Sequence, residues 1–82
     1  MKSIDLEFQI TPAGFQSVRR KFASEGVVVP DATNGELEQS GVKARFTYDG
    51  RLLRVSVYDK PWAYPSGIVK SRLAEFIQSA IL

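Results

Sequence analysis

Residues 35–59 read GELEQSGVKARFTYDGRLLRVSVYD, and this stretch decides the fold. Apolar and polar side chains alternate through residues 42–48 and again through residues 51–58, which is the two-residue period of strands with one buried face. The dipeptide Asp49-Gly50 between them is typical of a two-residue hairpin turn. The stretch therefore predicts a meander of three strands, at about residues 35–40, 42–48 and 51–58.

This turn sets the register that we expect for the second hairpin. A two-residue loop places Phe46 opposite Leu53 on the buried face. On the other face, Arg45 then lies opposite Arg54. The same register pairs Ala44 with Val55, Val42 with Val57, and Lys43 with Ser56.

The first hairpin of the meander turns at Ser40-Gly41, a less typical turn sequence than Asp-Gly. A two-residue loop here places Leu37 on the buried face, opposite Ala44. On the other face it pairs Glu36 with Arg45 and Glu38 with Lys43. Both hairpins thus predict the same separation into an apolar face and a charged face.

Two arginines facing each other across a hairpin repel by a few tenths of a kcal/mol unless negative charge lies nearby. One reading of Arg45 and Arg54 is an anion or phosphate site on the open face of the sheet. The alternative is a ladder in which Glu36 flanks one arginine and a carboxylate of the first strand flanks the other. We predict the ladder, because the acidic and basic residues of this face nearly balance and exposed ion pairs are common.

The N-terminal third of the chain predicts a strand followed by a helix. Apolar side chains alternate with polar ones through residues 4–10. Thr11-Pro12 then supplies a helix cap and a proline at the first helical position. A helix over about residues 12–25 follows, with an apolar stripe and Gly26 at its end. The stripe comprises Phe15, Val18 and Phe22.

Residues 27–29 are three valines, and Pro30 after them cannot donate a hydrogen bond to a neighbouring strand. We expect an edge strand here, because β-branched residues favour strands and the extra element makes the last meander strand antiparallel to strand one. A last helix follows residues 59–65, with Ser66 as its expected cap. Its apolar stripe comprises Val69, Leu73, Phe76, Ile77 and Ala80.

The predicted order is β-α-β-β-β-β-α within one domain, residues 1–82. The predicted class is α+β, a curved antiparallel sheet with both helices on one face, and this order resembles the helix-grip or TBP-like architecture. A cystatin-like arrangement, a helix wrapped by a meander, is the alternative. A second resemblance depends on Ser40-Gly41-Val42, Asp49-Gly50, the alternation of Leu53, Val55 and Val57, and the helix over residues 68–77. In these features the chain is similar to the small polyhydroxyalkanoic-acid-system proteins, which supply no catalytic residues to transfer.

The composition argues against an enzyme. The chain has no histidine and no cysteine, so it lacks the commonest general base, the strongest nucleophile and the commonest transition-metal ligands. Glu36 and Glu38 lie on one strand face but should both stay ionised beside basic residues. Ser66 and Lys70 have the spacing of a serine–lysine pair, yet a capping role suits Ser66 better. We predict no catalytic residue, metal or cofactor.

Charge and hydropathy also limit the location and the partners. Eleven basic and nine acidic residues leave a net charge of +2, which is too small to indicate nucleic acid or an anionic membrane. The N-terminus places charges among its apolar residues, unlike a signal peptide, and no apolar run is longer than five residues. We expect a soluble cytoplasmic protein without a membrane segment.

The candidate binding residues are the large aromatics and the two facing arginines: Trp62, Tyr64, Tyr58, Arg45 and Arg54. Trp62 and Tyr64 lie between two prolines, where they either close the end of the core or anchor a partner. The leading hypothesis is a non-enzymatic protein-interaction or self-association module, with a homodimer expected because an edge strand and an aromatic loop gain by association.

Two further hypotheses remain open. A small apolar ligand between the sheet and the C-terminal helix is a possibility that the helix-grip resemblance implies, and it requires a cavity well beyond one water molecule. That cavity would be lined by Phe46, Val55, Leu73 and Phe76, although the aromatic residues of so short a chain are expected to fill it. Weak nucleic-acid or phosphate binding would use residues 19–21, Arg45 and Arg54, and is the least favoured.

Overall fold

The computed structural model describes residues 3–81. This part of the chain forms four strands in one antiparallel sheet, with the spatial order β1-β4-β3-β2, and two helices. The α+β class with an antiparallel sheet, predicted from the sequence, is confirmed. The elements are β1 (Ile4–Gln9), α1 (Pro12–Ser24), β2 (Asn34–Gln39), β3 (Val42–Tyr48), β4 (Leu52–Asp59) and α2 (Ser66–Ile81).

The first helix begins and ends as its sequence predicts. The hydroxyl of Thr11 accepts a hydrogen bond from the backbone N–H of Gly14, at 3.1 Å, and Pro12 opens the helix. Gly26 follows the helix with a φ of +81°, a left-handed conformation that costs glycine little. Both ends of α1 are therefore specified by local chemistry.

The expected strand at residues 27–29 is not formed. The segment has no regular secondary structure and makes no backbone ladder within the described residues, and it is held instead by Arg19, whose Nε donates to the carbonyl of Val29 at 2.9 Å. Val27 and Val29 are buried while Val28 is 82% exposed. β4 nevertheless pairs antiparallel with β1 as expected, so this pairing does not require a strand at residues 27–29.

The hairpin between β2 and β3 has the predicted register. Leu37 lies opposite Ala44, and Glu36 lies opposite Arg45. Ser40 and Gly41 have φ values of +54° and +80°. Two central residues with positive φ are the pattern of a type I′ turn, whose twist matches that of the flanking strands.

The hairpin between β3 and β4 departs from the predicted register by two residues. Arg45 lies opposite Ser56, and Arg54 lies opposite Thr47, so the two arginines do not face each other. The expected pairing of Phe46 with Leu53 is replaced as well. The observed pairs are Tyr48 with Leu53, Phe46 with Val55, and Ala44 with Val57, and an irregularity between Lys43 and Ala44 places Lys43 opposite Asp59.

The turn explains this shift. The carboxylate of Asp49 accepts hydrogen bonds from the backbone N–H groups of Arg51 and Leu52, at 2.9 and 2.8 Å. Asp49 therefore lies before the loop, next to the end of β3, and caps the turn with its side chain. Gly50, with a φ of +97°, occupies the first central position of the loop. Moving the turn by one residue shifts the pairing by two, which leaves every side chain on its predicted face.

One face of the sheet and both helices enclose the core, whereas the other face is open. The second helix packs on α1 and β1, and the ring centroids of Phe22 and Phe76 lie 4.8 Å apart. Ser66 is the first residue of α2 rather than its cap, and the carbonyl of Pro65 accepts from Ile68 and Val69. The buried residues are Ile4, Leu6, Ile10, Phe15, Val18, Phe22, Val27, Val29, Leu37, Ala44, Phe46, Tyr48, Leu53, Val55, Val57 and Ile77.

Candidate functional site

An apolar cleft of about 560 Å³ lies between α2 and the sheet. It arises because α2 is buried at only one end. Ile77 is fully buried near the end of the helix, Leu73 is half-buried, and Ile68 in the first turn is 54% exposed. The N-terminal half of α2 therefore stands away from β2 and β3, and its apolar stripe faces the cleft.

The walls of the cleft are almost entirely apolar, and the polar groups belong to the last two residues of β2, to the turn after it and to α2. The sheet contributes Leu37, Val42, Ala44, Val55 and Val57, and the helix contributes Ile68, Val69, Leu73 and Phe76. Phe22, Val27, Tyr64 and Pro65 complete the apolar lining, beside Glu38, Gln39, Ser40 and Arg72. A concave apolar surface with few polar groups is the ordinary form of a binding site.

The cavity hypothesis named part of this lining. Val55, Leu73 and Phe76 do line the cleft. Phe46 does not, because its ring is buried against Phe15, with ring centroids 5.9 Å apart. Phe15, Phe46 and Tyr48 pack together between α1 and the sheet, whereas Phe22 and Phe76 form walls of the cleft. The expectation that the aromatic residues fill this space is therefore wrong.

The aromatic loop after β4 separates its two large side chains. Trp62 is 94% exposed, so of its two alternatives, closing the end of the core and standing exposed, the structure shows the second. Tyr64 lines the cleft and is 42% exposed, with its backbone N–H bonded to the carbonyl of Pro61 at 3.0 Å. Trp62 is thus an exposed aromatic side chain two residues before Tyr64, which lines the cleft.

On the open face, each candidate arginine has its own acidic partner. The Nε of Arg45 lies 3.2 Å from Oε1 of Glu36, and the Nε of Arg54 lies 3.4 Å from Oε1 of Glu7. The guanidinium of Arg45 also lies 4.9 Å from the ring centroid of Tyr58. The ladder predicted from the sequence is present, and the two arginines form no shared anion site.

The basic run of α1 also does not converge on one point. Arg19 bonds to the carbonyl of Val29 and lies 3.9 Å from Asp31, while Arg20 donates to the hydroxyl of Ser17. Lys21 lies 4.8 Å from the ring centroid of Phe76 and bonds to Ser79 on α2. The three basic side chains of this run therefore form no cluster that could bind a phosphate group.

The strand beside the cleft is an edge of the sheet. Because the valine segment forms no strand, β2 pairs with β3 alone. The backbone N–H of Tyr48 donates to the carbonyl of Thr33 at 2.8 Å, so the odd-numbered residues from Thr33 onward point their backbone groups toward β3. The even-numbered residues Asn34, Glu36 and Glu38 point theirs outward, where they have no backbone partner within residues 3–81.

Sequence reasoning did not identify this edge or the cleft residues of β2. The signal was present in part, since Leu37 alternates with two glutamates and the apolar stripe of α2 extends to Ile68 and Val69. What the pattern lacks is the angle at which the helix crosses the sheet. That angle decides which apolar residues are covered and which line the cleft.

None of the charged side chains within residues 3–81 is buried, and these residues form no cluster of three acidic side chains that could hold a metal ion. Burial, and secondarily the charge of Asp49, raises the pKa of Tyr48, whose hydroxyl donates to the carbonyl of Ile10. Backbone hydrogen bonds from Leu52 and Arg51 lower the pKa of Asp49. Both pKa shifts arise from contacts that hold the fold together, the core around Tyr48 and the turn at Asp49.

Within residues 3–81, neither helix is long and apolar enough to span a membrane. Comparisons with protein-family models, curated proteins and solved structures found no match for this chain. The function proposed below therefore depends on the geometry of the cleft and of β2.

Proposed function

We propose that this protein is a non-enzymatic interaction module that binds apolar side chains of a protein partner in the cleft beneath α2. The observation that carries the proposal is the cleft itself, about 560 Å³ of apolar-walled space that is open to solvent. Ile68 and Tyr64 line it, and each remains more than 40% exposed. Apolar surface gathered in a concavity is the usual mark of an association site.

A protein partner suits this surface because the apolar surface extends beyond the cleft. Trp62, in the loop that leads to the cleft, is almost fully exposed. Tryptophan and tyrosine are enriched among the residues that contribute most to protein interfaces, since they bury a large area with little loss of side-chain freedom. A partner that covers the cleft and Trp62 together would bury more apolar area than a ligand inside the cleft alone.

The proposal includes two occupants, a second copy of this chain or a different protein. A homodimer would bury the first turns of α2 of each copy against the other. Sedimentation of the purified protein over a range of concentrations separates these occupants, because only self-association makes the mass depend on the concentration of this chain.

A photocrosslinking experiment tests the proposal. The photoreactive residue p-benzoylphenylalanine replaces Ile68 at the cleft in one variant and Val28, which is 82% exposed on another segment, in the control. Illumination in the native cells should give a protein adduct at position 68 and none at position 28. Adding Leu73→Glu to the first variant should abolish the adduct, because a charged side chain then lies in the apolar cleft.

The mass of the adduct identifies the occupant. Twice the mass of the chain indicates a homodimer, and any other mass indicates a different protein. Equal adducts at positions 68 and 28, no adduct at position 68, or an adduct that persists with Leu73→Glu would contradict the proposal.

A second candidate function is the binding of a small apolar ligand in the same cleft. The volume favours it, because pockets for small molecules typically occupy about 300–1,000 Å³. The helix-grip resemblance supports it as well. Native mass spectrometry of protein purified without detergent should then show a bound mass of a few hundred daltons, released by Val69→Ser in the cleft but not by Val28→Ser outside it. Ligand-free protein would count against this candidate.

A further inference from the structure

We infer that the partner contributes an extended segment in which basic and apolar residues alternate, and that this segment adds to the sheet along the free edge of β2. This inference rests on the proposed function and names the chemistry of the partner. It is carried by three features of β2: its unpaired backbone groups, the charge of its outer face, and its position beside the cleft.

The first feature is an edge able to pair. Asn34, Glu36 and Glu38 direct their backbone groups away from β3, and these groups have no backbone partner among the described residues. The strand contains neither proline nor lysine, and its charged side chains, Glu36 and Glu38, would repel an acidic strand but not a basic one. An extended peptide can therefore continue the ladder, as in other cases of strand addition.

The second feature is the sign of the charge. Glu36 and Glu38 lie on the open face of β2, and on the β3 side they lie opposite Arg45 and Lys43. Glu38 makes no ion pair within 4 Å in the described part of the chain, and the side chain of Glu36 stays 62% exposed. A new strand with basic residues opposite these two positions would repeat, on the free side, the charge pairing that β3 already provides.

The third feature is the cleft on the opposite face. Leu37 projects to the core side between the two glutamates and lines the cleft. Side chains of an added strand alternate between the two faces of the sheet. When its basic residues lie opposite Glu36 and Glu38, the residues between them lie beside Leu37 at the edge of the cleft and should be apolar.

The edges of a second copy do not fit this description. Antiparallel pairing that keeps the core faces together would place glutamate against glutamate across two β2 strands. The other edge strand, β1, carries Asp5 and Glu7 on the same outer face, so pairing β1 with β2 or with itself also opposes carboxylates. Like charges directly opposite each other are destabilising. The segment therefore comes from a different protein.

The test uses three peptides of seven residues: KVKVKVK, the block sequence KKKKVVV of the same composition, and EVEVEVE. Binding is measured by fluorescence anisotropy, and the bound site is located by amide hydrogen exchange. The alternating basic peptide should bind at least tenfold more tightly than either control. It should also slow exchange at the outward N–H groups of Glu36 and Glu38, but not at the N–H groups of β1.

Matched variants test the role of charge. The double variant Glu36→Gln with Glu38→Gln should weaken binding of KVKVKVK about threefold to tenfold, since two cross-strand charge pairs are lost. The double variant Asp5→Asn with Glu7→Gln removes the same charge from the other edge and should leave the affinity unchanged.

Several results would overturn this inference: no binding at about 1 mM peptide, equal binding of KKKKVVV, protection of β1 instead of β2, or no effect of the Glu36 and Glu38 variants. The adduct at position 68 keeps the two proposals distinguishable. If that adduct persists while the peptide test fails, only strand addition is wrong, and if the adduct is absent, the cleft proposal is wrong.

Discussion

Arg45 on β3 and Glu36 on β2 lie directly opposite each other, with Nε and Oε1 separated by 3.2 Å. The same relationship recurs at the other edge of the sheet, where Glu7 of β1 lies opposite Arg54 of β4, with Oε1 and Nε separated by 3.4 Å. In these two ion pairs the glutamates thus lie on the edge strands and the arginines on the central strands. The open face is balanced within the molecule, and the unmatched apolar surface lies on the other side.

The pair of Glu36 and Arg45 should contribute little to stability, because both side chains are more than 60% exposed. We expect a coupling free energy below about 1 kcal/mol, decreasing with added salt. A double-mutant cycle of Glu36→Ala and Arg45→Ala, measured by urea unfolding at low and high salt, determines it. A coupling well above this value would show that the open face stabilises the fold rather than only balancing charge.

Two isoleucines of α2 should differ sharply in their contribution to stability. Ile77→Ala should cost about 2–5 kcal/mol, because Ile77 is fully buried and its removal leaves a cavity. Ile68→Ala should change stability by no more than about 0.5 kcal/mol, since Ile68 is 54% exposed. Urea unfolding of both variants gives the comparison. Similar costs would mean that the first turns of α2 pack on the sheet and that the cleft is closed in solution.

Gly35 on β2 should not tolerate a side chain. A Cβ there would lie 2.8 Å from a ring carbon of Phe46 and 3.0 Å from Cγ of Pro30, so Gly35→Ala should destabilise by about 1–3 kcal/mol. Gly67 on α2 has open space around it, and Gly67→Ala should stabilise by up to about 1 kcal/mol. Thermal unfolding of the two variants tests this pair. If Gly35→Ala left the stability unchanged, the ring of Phe46 would not lie against Gly35 in solution.

Tyr48 should stabilise the fold through its hydroxyl. The hydroxyl donates to the carbonyl of Ile10 at 3.0 Å, while the ring stacks on Phe15 with centroids 4.4 Å apart. Tyr48→Phe keeps the stacking and leaves a buried carbonyl without its donor, which should cost about 1–2 kcal/mol. Unfolding at neutral pH measures this cost, and no change would indicate that water replaces the donor.

The same variant should change the stability at alkaline pH. Because burial raises the pKa of Tyr48 in the folded state, the unfolded chain releases its proton first. Stability should therefore fall as the pH rises above about 10, the ordinary tyrosine value. That part of the alkaline decline should be absent from Tyr48→Phe. An identical alkaline profile in both proteins would refute the assignment.

Asp49 should contribute to acid stability with the opposite sign. Backbone hydrogen bonds lower its pKa in the folded state, so its contribution is complete above the unfolded value of about 3.9 and is lost as the pH falls through the lower folded value. Asp49→Asn retains an acceptor oxygen but cannot titrate, and should reduce the loss of stability below about pH 4. Glu75→Gln, an exposed change on α2, is the control. Equal acid slopes in wild type and Asp49→Asn would contradict the role of this carboxylate in the turn.

The two hairpins illustrate how far local sequence specifies register. The Ser40-Gly41 turn has the predicted loop, because both residues adopt positive φ. At Asp49-Gly50 the carboxylate of Asp49 accepts two backbone N–H groups, which moves the loop one residue along the chain. The two faces of the sheet are unchanged by this shift, because the alternation repeats every two residues. The predicted pairing of Arg45 with Arg54 is lost.

Composition and hydrophobic periodicity alone determined the class of this protein, the type and order of its helices and of the strands that form, and the separation of the sheet into a charged face and an apolar face. These properties are local, since each depends on the spacing of side chains along one element. Only the tertiary structure decided that the valine segment stays outside the sheet, that Trp62 faces solvent, and that α2 leaves a cleft beside the free edge of β2. These properties depend on how elements far apart in sequence pack against one another, because the same apolar stripe can be buried at one end and open at the other.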